Sequence, residues 1–174
     1  MDGRIQVVAS GHTADAKADQ FKQIENMMKI PGIGAYVLVS NRLDQKNEGE
    51  EVFMKNAQEI FEKFPEIDFG IYECPMPWKR LVSLDFLRQV APQGRMVFLK
   101  DTCCDYELIR ERLKAVEGTP LKIFNANAQS WFDSYCHAPP ATTASWPTSI
   151  PTCTSGPMTT RTPILRRPAW WPTS

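Results

Sequence analysis

Five short runs rich in β-branched and aromatic residues recur along this chain of 174 residues. They begin at residues 5, 35, 67, 96 and 121, so that 25 to 32 residues separate one start from the next. That spacing is the length of one strand followed by one helix. Each run is almost wholly apolar, as expected of a parallel strand covered by helices. The sequence therefore predicts an α/β fold of five strand–helix units, with strands at 5–10, 35–40, 67–72, 96–101 and 121–126.

The segments between these runs carry helix signals. Thr13, Ser83 and Asp105 are placed to cap helices, each ahead of apolar residues at helical spacing. The set after Thr13 includes Ala18. Residues 50–64 place five aromatic or aliphatic side chains on a common face, namely Phe53, Ala57, Ile60, Phe61 and Phe64. These helices are expected to cover the sheet.

Repeating strand–helix units build either a doubly wound sheet or a (β/α)8 barrel. A doubly wound nucleotide-binding sheet needs a glycine loop between its first strand and the following helix. The G-x-G of this chain, Gly32-Ile33-Gly34, follows a helix and precedes a strand, so we interpret it as a helix-ending turn. A (β/α)8 TIM barrel needs eight units. The five units seen here predict a partial barrel.

Composition divides the chain near residue 136. Residues 137–174 contain no Asp or Glu but hold 8 of the 14 prolines and 3 of the 5 tryptophans. Proline at this density is incompatible with a helix. The segment also differs in composition from ordinary disordered tails, which are usually charged and poor in tryptophan. We predict a domain over residues 1–136 and an unstructured tail over residues 137–174.

The tail is also consistent with translation in a shifted reading frame. Trp146 has a single codon, which ends in G. In the shifted frame this G joins the first two bases of the Pro147 codon, CC, and the resulting codon GCC encodes alanine. Suitable synonymous codons on either side give the continuous string AGYNGIMANFHPDLYVW. We interpret residues from about Cys136 onward as out of frame, and a genuine Pro/Thr-rich linker or tail is the alternative.

Charge, hydropathy and cysteine content exclude several partners. The formal net charge is zero, whereas nucleic-acid-binding proteins show a basic excess. No apolar run approaches the roughly 20 residues of a membrane span, and the first residues lack a basic-then-apolar leader. Five cysteines without C-x-x-C, beside only two histidines, argue against a zinc site and for reduced thiols. We predict a cytoplasmic protein that binds no nucleic acid, membrane or metal.

Two strand ends carry residues that a purely structural strand does not need. Strand alternation puts Lys100 on one face with Phe98, and Tyr72 on one face with Gly70. A lysine that points inward at the carboxyl end of a barrel strand loses hydration, which favours its neutral, nucleophilic form. Because neighbouring parallel strands lie about 4.8 Å apart, Lys100 and Tyr72 could reach one bound molecule. The structural alternative is a snorkelling lysine and an amphipathic tyrosine at the rim of a sheet.

The sequence around these residues resembles the motifs of a known family. Tyr72-Glu73-Cys74-Pro75 followed by Leu99-Lys100-Asp101-Thr102 is similar to the Y-x-x-P and G-x-K-[DE]-[ST] motifs of the dihydrodipicolinate synthase/N-acetylneuraminate lyase family. The resemblance runs from about Arg4 to Tyr135, in the order of barrel strands three to seven. It implies that Lys100 forms a Schiff base with pyruvate or another 2-oxo acid and that Tyr72 transfers protons, without a metal or cofactor. The out-of-frame string resembles the family's eighth-strand region.

The sequence also departs from the family pattern. The family's threonine after the second strand has no counterpart, and its second tyrosine should fall near Arg42-Leu43. Pro77 occupies the position of the synthases' carboxylate-binding arginine, with Lys79 and Arg80 just beyond, on a loop expected to be solvated. We therefore expect Schiff-base chemistry on a 2-oxo acid, in a reaction other than dihydrodipicolinate synthesis. The resemblance implies a homo-oligomeric parent enzyme. This chain is interpreted as a fragment of it that is expected to be inactive, or nearly so, in the complete reaction.

Two other functions stay open from the sequence. The first is a non-catalytic α/β domain that binds a partner or small ligand, with the Pro-rich tail as a docking segment. The second is thiol redox chemistry at Cys103-Cys104, although adjacent cysteines form strained disulfides.

Overall fold

All five predicted strands form, and they pair in the order in which they occur along the chain. The computed structural model describes residues 6–127, and its strands are β1 (Val7–Ser10), β2 (Ile33–Val39), β3 (Phe69–Tyr72), β4 (Met96–Asp101) and β5 (Lys122–Asn125). Every neighbouring pair is parallel, and the order is β1-β2-β3-β4-β5. A doubly wound sheet reverses its strand order at a switch point. Unbroken sequential order is that of a barrel wall, so the predicted fold class is confirmed.

Helices connect the strands, as the spacing predicts. They are α1 (Lys17–Met28), α2 (Ser40–Leu43), α3 (Glu50–Lys63), α4 (Leu84–Val90) and α5 (Tyr106–Ala115), with a 3-10 turn over Ala91–Gln93 after α4. Two predicted caps are confirmed. The Ser83 hydroxyl accepts a hydrogen bond from the Phe86 backbone N–H at 3.0 Å, and the Asp105 carboxylate accepts one from Leu108 at 3.1 Å. Such caps satisfy backbone donors that the first helical turn leaves free.

The predicted cap at Thr13 is wrong. Helix α1 begins at Lys17, and no side chain caps it at Ala16. Gln23 instead reaches back from the second turn: its Oε1 accepts from the Thr13 backbone N–H at 3.1 Å, and its Nε2 donates to the Thr13 hydroxyl at 2.9 Å. Because Gln23 occupies the Thr13 hydroxyl, that hydroxyl does not cap α1, and the helix starts at Lys17. Ala18 is exposed and does not belong to the buried face of the helix.

The hydrophobic core lies between the helices and one face of the sheet. The sheet contributes alternate, fully buried side chains to it, namely Tyr36, Leu38, Phe69, Ile71, Leu99 and Ile123. The helices contribute Ile24, Phe53, Ala57, Ile60, Phe86, Leu87, Ile109 and Leu113. Because strand side chains alternate between faces, the opposite face carries Val37, Val39, Gly70, Tyr72, Phe98, Lys100 and Phe124. We call this second set the inner face, since it corresponds to the face that lines a barrel.

Two predictions fall outside this part of the chain. The tail over residues 137–174 and the frame change near Cys136 both lie beyond the described residues. Within residues 6–127, none of the helices combines the length and the apolar character that crossing a bilayer requires.

Candidate active site

Lys100 and Tyr72 lie side by side on the inner face. They are direct register partners on β4 and β3, at the carboxyl ends of both strands. The Lys100 Nζ lies 4.4 Å from the centroid of the Tyr72 ring, within the range in which an ammonium is attracted by an aromatic face. Both side chains are half-buried. The two residues that the sequence singles out are thus adjacent and accessible to a small molecule.

Aromatic side chains surround this pair. Phe124 is the register partner of Lys100 on the other side, on β5. Phe98 lies one alternation below Lys100, and its ring meets that of Phe124 edge-on, with centroids 5.9 Å apart. Lys100 therefore lies between two aromatic neighbours and above a third. Apolar groups of this kind lower the local dielectric constant and so strengthen electrostatic interactions with a bound anion.

The Tyr72 phenol is held in its protonated form. Burial raises its pKa above the usual value, and Cys74 beside it raises that pKa further. At neutral pH the hydroxyl is a proton donor. The Lys100 amine lies over the face of the ring that carries this hydroxyl. A carbonyl addition needs a proton donor near the amine, because the carbonyl oxygen gains a proton as the amine attacks.

A buried ion cluster lies directly behind the pair. Arg112, from α5, is fully buried with Glu73 and Asp101, which immediately follow Tyr72 and Lys100 in sequence. Its Nη2 lies 2.7 Å from Glu73 Oε1, and its Nη1 pairs with Asp101. Sequence reasoning missed the role of Arg112. The available signal was a charged residue between Ile109 and Leu113, on the apolar side of its helix.

Asn41 holds the loop that follows Tyr72. This buried side chain, on α2, donates from Nδ2 toward three backbone carbonyls, those of Cys74 at 3.3 Å, Met76 at 2.8 Å and Trp78 at 2.9 Å. A short polar side chain thus satisfies a loop that would otherwise leave carbonyls unpaired beside the core. Asn41 was not among the residues predicted from the sequence.

Arg80 corrects one expectation. Lys79 is exposed, as predicted, but the Arg80 side chain is only 18% exposed and is not on a solvated loop. Its Nη2 lies 2.9 Å from Glu50 Oε2, its Nε lies 3.4 Å from Asp44 Oδ2, and its guanidinium lies 5.0 Å from the Phe53 ring centroid. These three contacts draw the side chain toward α3, because a planar guanidinium can bond carboxylates and stack on a ring at once.

The position expected for the family's second tyrosine is occupied differently. Arg42 pairs with Asp15, and Leu43 is buried in the core. Arg42 also borders a polar cleft of about 180 Å³ whose lining includes Lys17 and Lys46 but neither member of the inner-face pair. No phenol stands at this point of the described chain.

The adjacent cysteines face different partners. Cys103, Cys104 and Cys74 are free thiols. The Cys103 thiol contacts the Asp105 backbone at 3.4 Å, whereas that of Cys104 contacts the Thr102 carbonyl at 3.4 Å. Burial, with Asp101 nearby, raises the pKa of Cys103 to about 12. A thiol in that state is a poor nucleophile at neutral pH, which argues against the redox alternative.

Solved structures with similar folds contain this arrangement of strands and helices. A sialic acid aldolase from Ruminococcus gnavus, described as a catalytic lysine mutant, superposes with a TM-score of 0.65 at 14% identity, over 83% of this chain and 45% of that one. The chain shares the fold of the dihydrodipicolinate synthases and sialic acid aldolases. A dihydrodipicolinate synthase from Bacillus clausii gives a TM-score of 0.62 at 18% identity, over 83% and 46% of the two chains. A 2-keto 3-deoxygluconate aldolase from Picrophilus torridus gives 0.62 at 16%, over 83% and 50%.

Two further facts bound this similarity. The chain spans about half the length, or slightly less, of these structures. No protein-family profile matches it, and no curated protein matches it in sequence. The resemblance seen in the sequence is confirmed at the level of the fold.

Proposed function

We propose that this chain carries the reactive lysine of an aldolase- or lyase-type enzyme that forms a Schiff base with pyruvate or a related 2-oxo acid. The observation that supports this most directly is the contact between Lys100 Nζ and the Tyr72 ring, 4.4 Å from its centroid. The fold supports it as well, because active sites of such barrels lie at the carboxyl ends of the strands. The R. gnavus aldolase, which has this fold, is described as having a catalytic lysine.

Lys100 is the nucleophile in this proposal. The amine, once it has given up its proton, adds to the C2 carbonyl of the 2-oxo acid. The carbonyl oxygen gains a proton and the nitrogen loses one, which gives a carbinolamine. Loss of that hydroxyl as water leaves a protonated imine on Lys100. The imine draws electrons from C3, so that a C3–H or C3–C4 bond can break and leave an enamine.

Tyr72 moves the protons. Its raised pKa keeps the hydroxyl protonated, so that it can donate to the carbonyl oxygen during addition and assist the departure of water. The resulting phenolate can then take back a proton. Groups placed within hydrogen-bond reach and used in this way contribute about 10²–10⁴-fold in rate.

The aromatic neighbours suit a small substrate with little polar surface next to C3. Phe98 and Phe124 offer rings and no hydrogen-bonding groups around the amine. The proposal includes a reducing, cytoplasmic location, supported by the free thiols of Cys74 and Cys103. It also includes assembly with further copies of the chain, which rests on the family resemblance alone.

Exchange of the C3 hydrogens tests this function. Pyruvate is incubated with the full chain in D2O, and loss of the methyl proton signal is followed by NMR. Formation of the imine and enamine needs only Lys100 and Tyr72, so we expect exchange in this fragment although the complete reaction is expected to be lost or nearly so. Lys100→Arg should abolish the exchange, and Tyr72→Phe should slow it by about 10²–10⁴-fold. Lys79→Arg, on the exposed loop, is the control and should leave the rate unchanged. Exchange that survives Lys100→Arg would contradict the proposal.

A further inference from the structure

The Arg112 cluster ties together the two strand ends that carry Tyr72 and Lys100. Arg112, Glu73 and Asp101 all have 0% exposed area. Arg112 reaches Glu73 at 2.7 Å, pairs with Asp101, and donates to the Val82 carbonyl at 2.5 Å. One guanidinium from α5 therefore binds the residue that follows each member of the inner-face pair.

The same strand ends are cross-linked by shorter-range contacts. Glu73 Oε2 accepts from the Thr102 backbone N–H at 2.8 Å, and the Thr102 hydroxyl donates to the Glu73 carbonyl at 2.8 Å. The Glu73 backbone N–H donates to the Lys100 carbonyl at 3.3 Å. Because successive side chains point to opposite faces, any twist of either strand that moves Glu73 or Asp101 also moves its catalytic neighbour.

Stability alone is a poor reason for such a cluster. Removing three charged side chains from water costs free energy, and well-packed apolar residues at such places are often as stable or more so. The cost is visible at Glu73, where burial raises the carboxyl pKa despite the opposing effect of Arg112. Buried polar networks instead fix one geometry, since every member needs its partners in place.

We propose that Arg112 is a positioning residue that acts through Glu73 and Asp101. It holds the ends of β3 and β4 at a fixed separation and rotation, and thereby sets the placement of the Lys100 amine against Tyr72. The expected effect of Arg112 on the rate of adduct formation rests on the proposed function. The placement itself can be tested separately.

The test compares Arg112→Lys with Arg80→Lys in the full chain. Arg80 is a matched control because it also bridges two carboxylates, Asp44 and Glu50, but away from the strand ends. Lysine keeps the charge in both variants and loses the planar fork that bonds two carboxylates at once. With pyruvate and borohydride, we expect Arg112→Lys to slow adduct formation on Lys100 about 10- to 100-fold, the size expected of a misplaced reacting group. Arg80→Lys should leave that rate unchanged.

The form of the defect separates positioning from loss of fold. The maximal rate at saturating pyruvate should fall in Arg112→Lys while the half-saturating concentration holds, because Arg112 does not reach the inner face. Glu73→Gln, which leaves Arg112 paired with Asp101, should give a smaller fall in the same direction. It also provides the measurement if Arg112→Lys does not fold. Equal rates in Arg112→Lys and Arg80→Lys, or rates that merely follow the folded fraction measured by circular dichroism, would overturn the inference.

A second readout does not depend on the reaction. Acetylation of Lys100 by acetic anhydride is measured relative to that of exposed Lys55 on α3. We expect the Lys100/Lys55 ratio to change in Arg112→Lys and to stay constant in Arg80→Lys. If the wild-type chain forms no adduct but this ratio changes, the proposed function fails and the positioning role stands. A constant ratio in both variants refutes the positioning role.

Discussion

Phe98 packs against Gly70 so closely that a larger residue at position 70 would displace the Phe98 ring. A Cβ built on Gly70 would lie 2.2 Å from the Phe98 ring. Gly70 is the register partner of Phe98, as Tyr72 is of Lys100. The lack of a side chain at Gly70 therefore makes room for the Phe98 ring, which lies next to the Lys100–Tyr72 pair on the inner face.

The Gly70→Ala variant should consequently be destabilised. Overpacking of this kind costs about 1–3 kcal/mol, and the displaced Phe98 ring should also shift Lys100 two residues along. Urea unfolding followed by circular dichroism measures the first effect. Gly34→Ala is the control, because its Cβ would meet only the flexible Gln6 side chain. Rescue of Gly70→Ala by Phe98→Leu is expected, and equal stability of both alanine variants would contradict this account.

His12 should make the protein less stable in mild acid. This buried imidazole accepts from the Val39 backbone N–H at 3.0 Å, and burial lowers its pKa to about 4. The unfolded chain, with a histidine pKa near 6.5, takes up the proton first as the pH falls. The stability contributed by neutral His12 is therefore complete above about pH 6.5 and is lost between about pH 6.5 and 4, by about 3 kcal/mol in all.

The matched variant for this prediction is His12→Asn, which keeps an acceptor near the position of Nδ1 and does not titrate in this range. Unfolding free energies at pH 7.0 and 4.5 are compared for both proteins. The wild type should lose more stability than the variant between these two values. An identical loss would show that carboxylates elsewhere account for the whole pH dependence.

Cys103 and Cys104 should differ sharply in reactivity. Cys104 is exposed, whereas burial raises the pKa of Cys103 to about 12. Since the thiolate is the reactive form, iodoacetamide at pH 8 should label Cys104 first and leave Cys103 largely unmodified, as read by peptide mass mapping. With Cys104→Ser, Cys103 should remain slow. Rapid labelling of both, or a disulfide between them after mild oxidation, would restore the redox alternative.

The parts predicted from the sequence are those set by local patterns. Strand alternation and the motif around each residue place Lys100 and Tyr72 at strand ends, and regular spacing gives the parallel order of the strands. The positions of Lys100 and Tyr72 follow from a few consecutive residues, and the order of the strands follows from the regular repeat of strand and helix along the chain.

The parts missed depend on contacts between distant residues. Arg112 and Glu73 are 39 positions apart, and Arg80 meets Glu50 across 30 positions. Nothing in the local sequence says which carboxylate a buried arginine meets, so Arg80 was expected on a solvated loop. The late start of α1 has the same origin, because Gln23 binds Thr13 across 10 positions.

The central claim is that Lys100 forms a Schiff base with a 2-oxo acid. Its most direct test is to incubate the full chain with pyruvate and borohydride and to locate the reduced adduct by mass spectrometry. The account predicts one adduct per chain, on Lys100, which persists in Lys79→Ala and in Tyr72→Phe and is absent in Lys100→Ala. An adduct on another lysine, or none on the folded wild-type chain, would contradict the account and favour the non-catalytic binding domain.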